Sequence, residues 1–99
     1  MRIKIEDKAI ESVKREAEKE GISDPAILIM FPNFPRCPYC NFFPVKIDSS
    51  QRFQGQIRVS SEKGIGVYLE HAFRGFTRDM LVYVGPDGKY LLAQLVMSA

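Results

Sequence analysis

Residues 28–47 read LIMFPNFPRCPYCNFFPVKI, and this stretch decides how the rest of the chain is arranged. It holds both cysteines, four of the six prolines and four of the seven phenylalanines. Apolar runs of strand length lie at its two ends, with Cys37-Pro38-Tyr39-Cys40 at a tight turn between them. Because proline fixes φ and removes an N–H donor, no regular helix or ladder is expected through 32–40. Any chemistry of the protein is therefore expected on this irregular segment.

The two flanking runs predict different strands. Residues 26–31, AILIMF, are apolar without alternation, which at this length indicates a strand covered on both faces. Residues 41–47 alternate, so that Phe43, Val45 and Ile47 share one face, and Asp48-Ser49-Ser50 is expected to end this strand.

The chain before this stretch predicts a short strand and one amphipathic helix. Charged and apolar side chains alternate from Arg2 to Ile5, which is typical of a strand with one buried face. Asp7 has the short acceptor of a helix N-cap, and the helix is expected to run to about Glu20 and stop at Gly21. Its buried stripe is predicted to be Ile10, Val13 and Ala17.

The second half predicts four more strands and one helical turn within Glu70–Thr77, with Phe73 and Phe76 packing inward. The expected strands and turns are a strand at 56–60, a turn at 61–64, a strand at 65–69, a strand at 80–84, a turn at 85–88 and a strand at 89–96. This order of elements predicts a single α+β domain over residues 1–99. In it, the N-terminal strand and helix pack on a mostly antiparallel sheet.

Length and charge exclude several classes of function. Ninety-nine residues make one domain, and the net charge of +2 is spread without a basic block, so no nucleic-acid partner is expected. The longest apolar run, 26–31, is far short of the roughly 20 residues of a membrane span, so no membrane partner is expected either. The N-terminus MRIKIEDK carries charges where a signal peptide would be apolar, which favours a cytoplasmic protein.

Cys37 and Cys40 are the candidate metal and cofactor ligands. Two thiolates separated by two residues can reach one tetrahedral centre, but they supply only two of its four ligands. A homodimer would complete a Cys₄ site about a two-fold axis, for Zn²⁺ or a small iron–sulfur cluster equally well. His71 is a further candidate ligand, although a lone histidine is more often a packed or solvent-facing side chain.

Other interpretations of the cysteine pair stay open. The cysteines are turn residues that are free or joined in a disulfide, or they form the dithiol of an oxidoreductase. In an oxidoreductase of this kind the second cysteine lies at the start of a helix. Residues 41–45 are instead aromatic, β-branched and interrupted by proline. With one histidine and no carboxylate cluster, a hydrolytic site is not assembled, so enzymatic activity is uncertain and a non-enzymatic role is favoured.

The aromatic residues around the cysteines have two interpretations. Phe31, Phe34, Tyr39 and Phe42 would form the exposed docking surface of a binding module whose cysteines are inert. Alternatively, the phenylalanines of this stretch, Phe43 included, belong to the core and anchor the loop.

The order of motifs resembles a known family. The segments IKIEDKAIESVKREAEKEG, AILIMF, the turn at Cys37, a strand ending in Asp48, GIGVYLE and MLVYVG…KYLLAQL are together similar to the HesB/IscA-like (A-type iron–sulfur carrier) domain. The resemblance implies a strand and helix, a cysteine loop, and a β-rich body with a short helical turn. It also implies an iron–sulfur cluster as cofactor and iron–sulfur assembly proteins as partners.

Only one ligand of that family maps to this chain. The first ligand cysteine falls on Cys37, and the C-terminal Cys-x-Cys pair of cluster-carrying members has no counterpart in Leu95 to Ala99. The loop reads Pro35-Arg36-Cys37-Pro38-Tyr39-Cys40, where the family has Gly-Cys-Ser-Gly. The sequence therefore predicts a divergent member, a non-enzymatic metal or iron–sulfur binding protein that uses Cys37 and Cys40 in a homodimer.

Overall fold

The structure is a computed structural model that describes residues 2–31, 42–86, 88 and 90–96, with the backbone alone at 60–62. This part of the chain contains one α-helix, two 3₁₀ helices and seven strands. In chain order they are β1 (Ile3–Ile5), α1 (Asp7–Glu20), β2 (Pro25–Ile29), β3 (Phe42–Ser49), a first 3₁₀ helix (Ser50–Phe53), β4 (Ile57–Glu62), β5 (Ile65–Leu69), a second 3₁₀ helix (His71–Phe73), β6 (Met80–Val84) and β7 (Leu91–Leu95).

The seven strands form one mixed sheet in the order β1-β6-β7-β3-β2-β5-β4. Four of its six neighbouring pairs are antiparallel, and the parallel pairs are β1 with β6 and β2 with β5. The edge strands β1 and β4 contact each other, so the sheet is curled, and α1 packs against β6, β2 and β3. The predicted α+β class is confirmed, with antiparallel pairs in the majority.

The inner face of the curled sheet holds the main core, which α1 closes. Side chains from the helix, from the strands and from the segments that join them form this core. Burying one large aliphatic side chain stabilises the fold by about 1.5–3 kcal/mol. The buried residues of this cluster are Ile3, Ile5, Ala9, Ile10, Val13, Ile27, Ile29, Phe43, Ile65, Val67, Leu69, Phe73, Met80, Val82, Leu91 and Ala93. No polar or charged side chain is buried among the residues that the structure describes.

Helix α1 has the predicted length and stop but a different start. Glu6, not Asp7, is its N-cap residue, and it makes no side-chain capping hydrogen bond. Asp7 instead accepts a 2.7 Å hydrogen bond from Lys63 Nζ, which ties the turn between β4 and β5 to the helix start. At the other end Gly21 is left-handed (φ 69°), and the Ile22 N–H donates to the Ala17 carbonyl, as the predicted glycine stop requires.

Strands β2 and β3 lie at the centre of the sheet. Strand β2 is buried on both faces from Ala26 to Ile29, as predicted. Strand β3 is longer than the predicted 41–47 and changes partner, pairing with β7 over Phe42–Pro44 and with β2 over Val45–Ser49. Pro44 lies where β3 changes partner, and its carbonyl accepts a hydrogen bond from the Met30 N–H at 2.9 Å. At this position the missing N–H of proline does not interrupt a continuous ladder.

The second half differs from the sequence prediction mainly at its turns. The predicted four-residue turn at 61–64 is wrong, because β4 continues to Glu62 and the turn is Lys63-Gly64, both with positive φ (51° and 85°). This two-residue geometry matches the twist of the flanking strands. The predicted helical turn is confirmed as the second 3₁₀ helix, where Phe73 is 2% exposed and Phe76 packs on the core.

The outer face of the sheet is covered over one half only. There the first 3₁₀ helix presses Phe53 onto Ala26, Leu28 and Tyr68, with ring centroids of Phe53 and Tyr68 5.7 Å apart. The other half, formed by β6, β7 and the first residues of β3, has no such cover from any described residue.

Candidate functional site

The predicted ligands Cys37 and Cys40 lie outside the described residues, as do Phe34 and Tyr39. Phe31 and Phe42 are the described residues at which segment 32–41 leaves and rejoins the sheet. In the described part of the chain, no group of three or more His, Cys, Asp or Glu residues could hold a metal ion.

The point at which this segment leaves the sheet is fixed by Glu70. Its carboxylate Oε1 accepts a 2.7 Å hydrogen bond from the Phe31 N–H, and its own N–H donates to the Ile29 carbonyl at 3.2 Å. Glu70 directly follows β5, which runs parallel to β2. The last residues of β2 are therefore held by a neighbouring strand through both the backbone and a side chain.

A cluster of four phenylalanines packs beneath the same point. Phe73 is its centre, with ring centroids 5.3 Å from Phe31, 5.2 Å from Phe43 and 5.5 Å from Phe76. All three contacts are edge-to-face, an arrangement worth about 0.5–1.5 kcal/mol per pair beyond burial. Phe43 is buried, whereas Phe31 is 48% exposed, so the cluster reaches from the core to the surface beside segment 32–41.

His71 and Glu70 bind different partners and form no catalytic pair. The exposed His71 ring contacts the Gly55 carbonyl through Nε2, while Glu70 holds Phe31. Strand β5 ends at Leu69 and His71 opens the second 3₁₀ helix. His71 is thus an exposed side chain that contacts the loop at Gly55. A solvent-facing position of this kind was one of the two interpretations that the sequence left open for it.

The uncovered half of the outer sheet face is mostly apolar, with the exposed Gln94 at its centre and Lys4 of β1 on the same side. We call it the open face and define it by Phe42, Pro44, Leu81, Tyr83 and Leu92. The strand registers put these residues on one side, since Pro44 and Tyr83 both pair with Leu92. Phe42 is 46% exposed, and its ring centroid lies 6.4 Å from that of Tyr83. Burial, with the charge of Glu6 as a smaller cause, raises the pKa of the Tyr83 hydroxyl.

A groove of about 530 Å³ borders the open face, where β3 and β7 diverge. Its walls are apolar side chains of both strands and of the turn between β6 and β7. Sequence reasoning missed this groove and the open face. The available signal was that MLVYV and LLAQL carry apolar residues on both sides of a strand. The lining residues are Met30, Pro44, Val45, Gly85, Pro86, Tyr90, Leu91 and Leu92.

Asp24 forms a separate polar cluster that is structural. Its carboxylate accepts from the hydroxyls of Ser49 at 2.7 Å and Ser50 at 2.6 Å, and its carbonyl accepts from the Ser50 N–H. The two hydroxyls, Ser50 first, lower the pKa of the Asp24 carboxyl. These bonds join the residue before β2 to the last residue of β3 and to Ser50, which opens the first 3₁₀ helix, so the cluster holds the two central strands together.

Comparisons of the chain with protein-family models, with curated proteins and with solved structures found no match. Among the described residues, no helix is long and apolar enough to cross a membrane. Function is therefore inferred from the residues, from the fold and from the geometry around segment 32–41.

Proposed function

We propose that this chain is a HesB-like, non-enzymatic protein that binds a metal ion or an iron–sulfur cluster through Cys37 and Cys40 in a homodimer. The carrying observation is that the Cys-x-x-Cys segment joins the two central strands of the sheet. Its start is anchored by the hydrogen bond from Phe31 to Glu70 and by the phenylalanine cluster. The described residues at both ends of the segment that carries the ligand pair are thus held on the sheet.

The ligand count supports a site shared between two copies. Each chain supplies two thiolates two residues apart, and a structural Zn²⁺ or a small cluster takes four. In the described part of the chain, no group of three or more His, Cys, Asp or Glu residues could hold the metal by itself. A second copy supplies the missing pair by symmetry.

The order of elements supports the HesB-like part of the proposal. Strand β1, helix α1, strand β2 and a cysteine segment come first, followed by five strands with a short helical turn before β6. This is the order that the resemblance implies. The proposal includes the cytoplasm as the compartment and, as the resemblance implies, iron–sulfur assembly proteins as partners. In a reducing compartment a close cysteine pair more often binds metal than staples the fold.

A binding module with inert or disulfide-linked cysteines is the second candidate. The half-exposed rings of Phe31 and Phe42, at the two ends of segment 32–41, favour it. The oxidoreductase ranks below both, because β3 begins at Phe42, two residues after Cys40, and leaves no room for a helix starting at the second cysteine.

Metal analysis after aerobic and anaerobic purification tests the proposal. We expect bound iron or zinc, with acid-labile sulfide if the group is a cluster, and loss of that metal in Cys37→Ser and in Cys40→Ser. Asn41→Ser is the matched control, since it alters a neighbour and keeps both thiols. Absence of iron and zinc under both conditions, together with unchanged thermal stability in chelator, would sink the proposal.

Thiol alkylation separates the second candidate from the first. Mass spectrometry of the chelator-treated protein, with and without reductant, should show two alkylated cysteines in both samples if the pair is a ligand set. Alkylation that requires reductant would instead establish a disulfide and favour the binding module.

A further inference from the structure

A second groove, of about 430 Å³, lies between the edge strand β4 and the turn that follows the second 3₁₀ helix. We call it the arginine groove, because Arg58 of β4 and Arg74 of the turn both line it. Sites for small molecules measure about 300–1,000 Å³, so its volume suits a small ligand. Its other lining residues are Ile57, Val59, Leu69, Phe73, Gly75 and Phe76.

Arg74 is held at the corner of a tight turn over residues 73–76. The Phe76 N–H donates to the Phe73 carbonyl at 2.8 Å. Arg74 has φ −55° and ψ 126°, and Gly75 has φ 83°, which are the angles of a type II β-turn with glycine at its third position. The rings of Phe73 and Phe76 are edge to face, with centroids 5.5 Å apart, and both pack on the main core. The turn thus fixes the exposed Arg74 beside two anchored rings.

Arg58 lies at a β-bulge of the edge strand. Arg58 and Ser60 pair with successive residues of β5, so Val59 is an extra residue in β4. In a regular strand successive side chains point to opposite faces, whereas Ile57, Arg58 and Val59 all line this groove. A bulge bends its strand and changes the direction of a side chain, and bulges are frequent next to active sites.

The charge of the arginine groove is positive. None of its lining residues is acidic. Glu70 follows the lining residue Leu69 in the chain, but its carboxylate accepts from the Phe31 N–H. In the described part of the chain, the side chains of Arg58 and Arg74 have no ion-pair or hydrogen-bond partner. Guanidinium groups bind carboxylates in a fixed, often bidentate geometry, so two of them at one groove favour an anionic ligand.

The apolar walls define the rest of the ligand. A bulge and a charge also protect an edge strand from pairing with another chain, which would account for Arg58. They do not account for Arg74, which lies on a different element and lines the same groove. We propose that the arginine groove binds a small amphipathic carboxylate, an apolar chain with one carboxylate group at its end. The two arginines bind the carboxylate, and the chain lies on the half-buried Ile57, Val59 and Phe76.

Titration of the isotope-labelled protein with decanoate, followed by NMR of the backbone amides, tests this inference. We expect saturable shifts at Val59, Gly75 and Phe76, with a dissociation constant of about 1 mM or below. Decanol has the same chain without the charge, and acetate has the same charge without the chain. Each should bind at least about tenfold more weakly than decanoate.

Variants of the two arginines test their role. Arg58→Gln and Arg74→Gln, both at exposed positions, should each raise the dissociation constant for decanoate at least about threefold. Arg74→Lys should raise it less, because it keeps the charge and loses only the fork of donors. Arg15→Gln is the control, since it removes the same charge from the exposed side of α1, and it should leave the dissociation constant unchanged.

Four outcomes overturn the inference. The first is the absence of saturable shifts at the groove with decanoate up to about 10 mM. The second is decanol that binds as tightly as decanoate, and the third is wild-type affinity in both Arg58→Gln and Arg74→Gln. The fourth is a single-stranded oligonucleotide that shifts the same amides at lower concentration than decanoate, which would assign the arginines to a phosphate backbone. Because the groove uses neither Cys37 nor Cys40, the proposed metal site stands or fails separately.

Discussion

Glu70 is a single half-buried side chain that holds two strands where the cysteine-bearing segment begins. Its carboxylate accepts from the Phe31 N–H at 2.7 Å. We predict that Glu70→Ala lowers the free energy of unfolding by about 1 kcal/mol. Glu70→Gln should lower it less, because its amide oxygen can still accept this bond. Urea unfolding measures both, with Glu18→Gln on the exposed side of α1 as control. Equal stability of Glu70→Ala and the wild type would show that the bond contributes nothing.

Asp24 makes the stability of the fold depend on pH. Because the hydroxyls of Ser50 and Ser49 lower its pKa in the folded state, Asp24 stabilises the fold above its ordinary pKa of 3.8. This contribution is lost as the pH falls through 3.8 toward the lowered pKa of the folded state. We predict that the melting temperature of the wild type exceeds that of Asp24→Asn at about pH 6 and that the gap narrows by about pH 3. A difference in melting temperature between the wild type and Asp24→Asn that is the same at both pH values would contradict this. Glu20→Gln, which removes a different carboxylate, is the control.

At the scale of elements, the phenylalanine cluster joins the second 3₁₀ helix to the ends of β2 and β3. Phe73, almost fully buried, touches the other three rings. We predict that Phe73→Ala lowers the free energy of unfolding by about 3–5 kcal/mol. Phe42→Ala, with the same change at a half-exposed ring, should cost about 1 kcal/mol or less. Similar losses for both variants in urea unfolding would show that the cluster does not anchor these elements.

Most elements were predictable because their signals are local. The bounds of β5 and β6 agree with the sequence prediction, since alternation and flanking turn residues define them. The N-cap was not predictable, because Asp7 is drawn to Lys63, a residue distant in the chain that arrives only when the sheet forms. The turn at Lys63-Gly64 was misjudged because Ser61 and Glu62 look like turn residues, while pairing with β5 keeps them in β4.

For the whole molecule, the mixed strand order decides which faces stay open. The parallel pairs of β1 with β6 and of β2 with β5 join segments far apart in the sequence, so no local pattern encodes them. For the same reason the open face was not foreseen. The sequence alone does not show whether a helix, a loop or another chain lies on the apolar side chains of Leu81, Tyr83 and Leu92. The sequence did identify the central strands and the segment between them, which carries the proposed ligands Cys37 and Cys40.

Native mass spectrometry of the anaerobically purified protein tests the central claim most directly, because it counts metal and chains in the same ion. The account predicts a dimer that carries one zinc ion or one small iron–sulfur cluster, and apo monomers for Cys40→Ser. Metal-free wild-type protein after reconstitution with Zn²⁺ and, separately, with iron and sulfide would contradict the account. A metal centre retained in full by Cys40→Ser would contradict it equally.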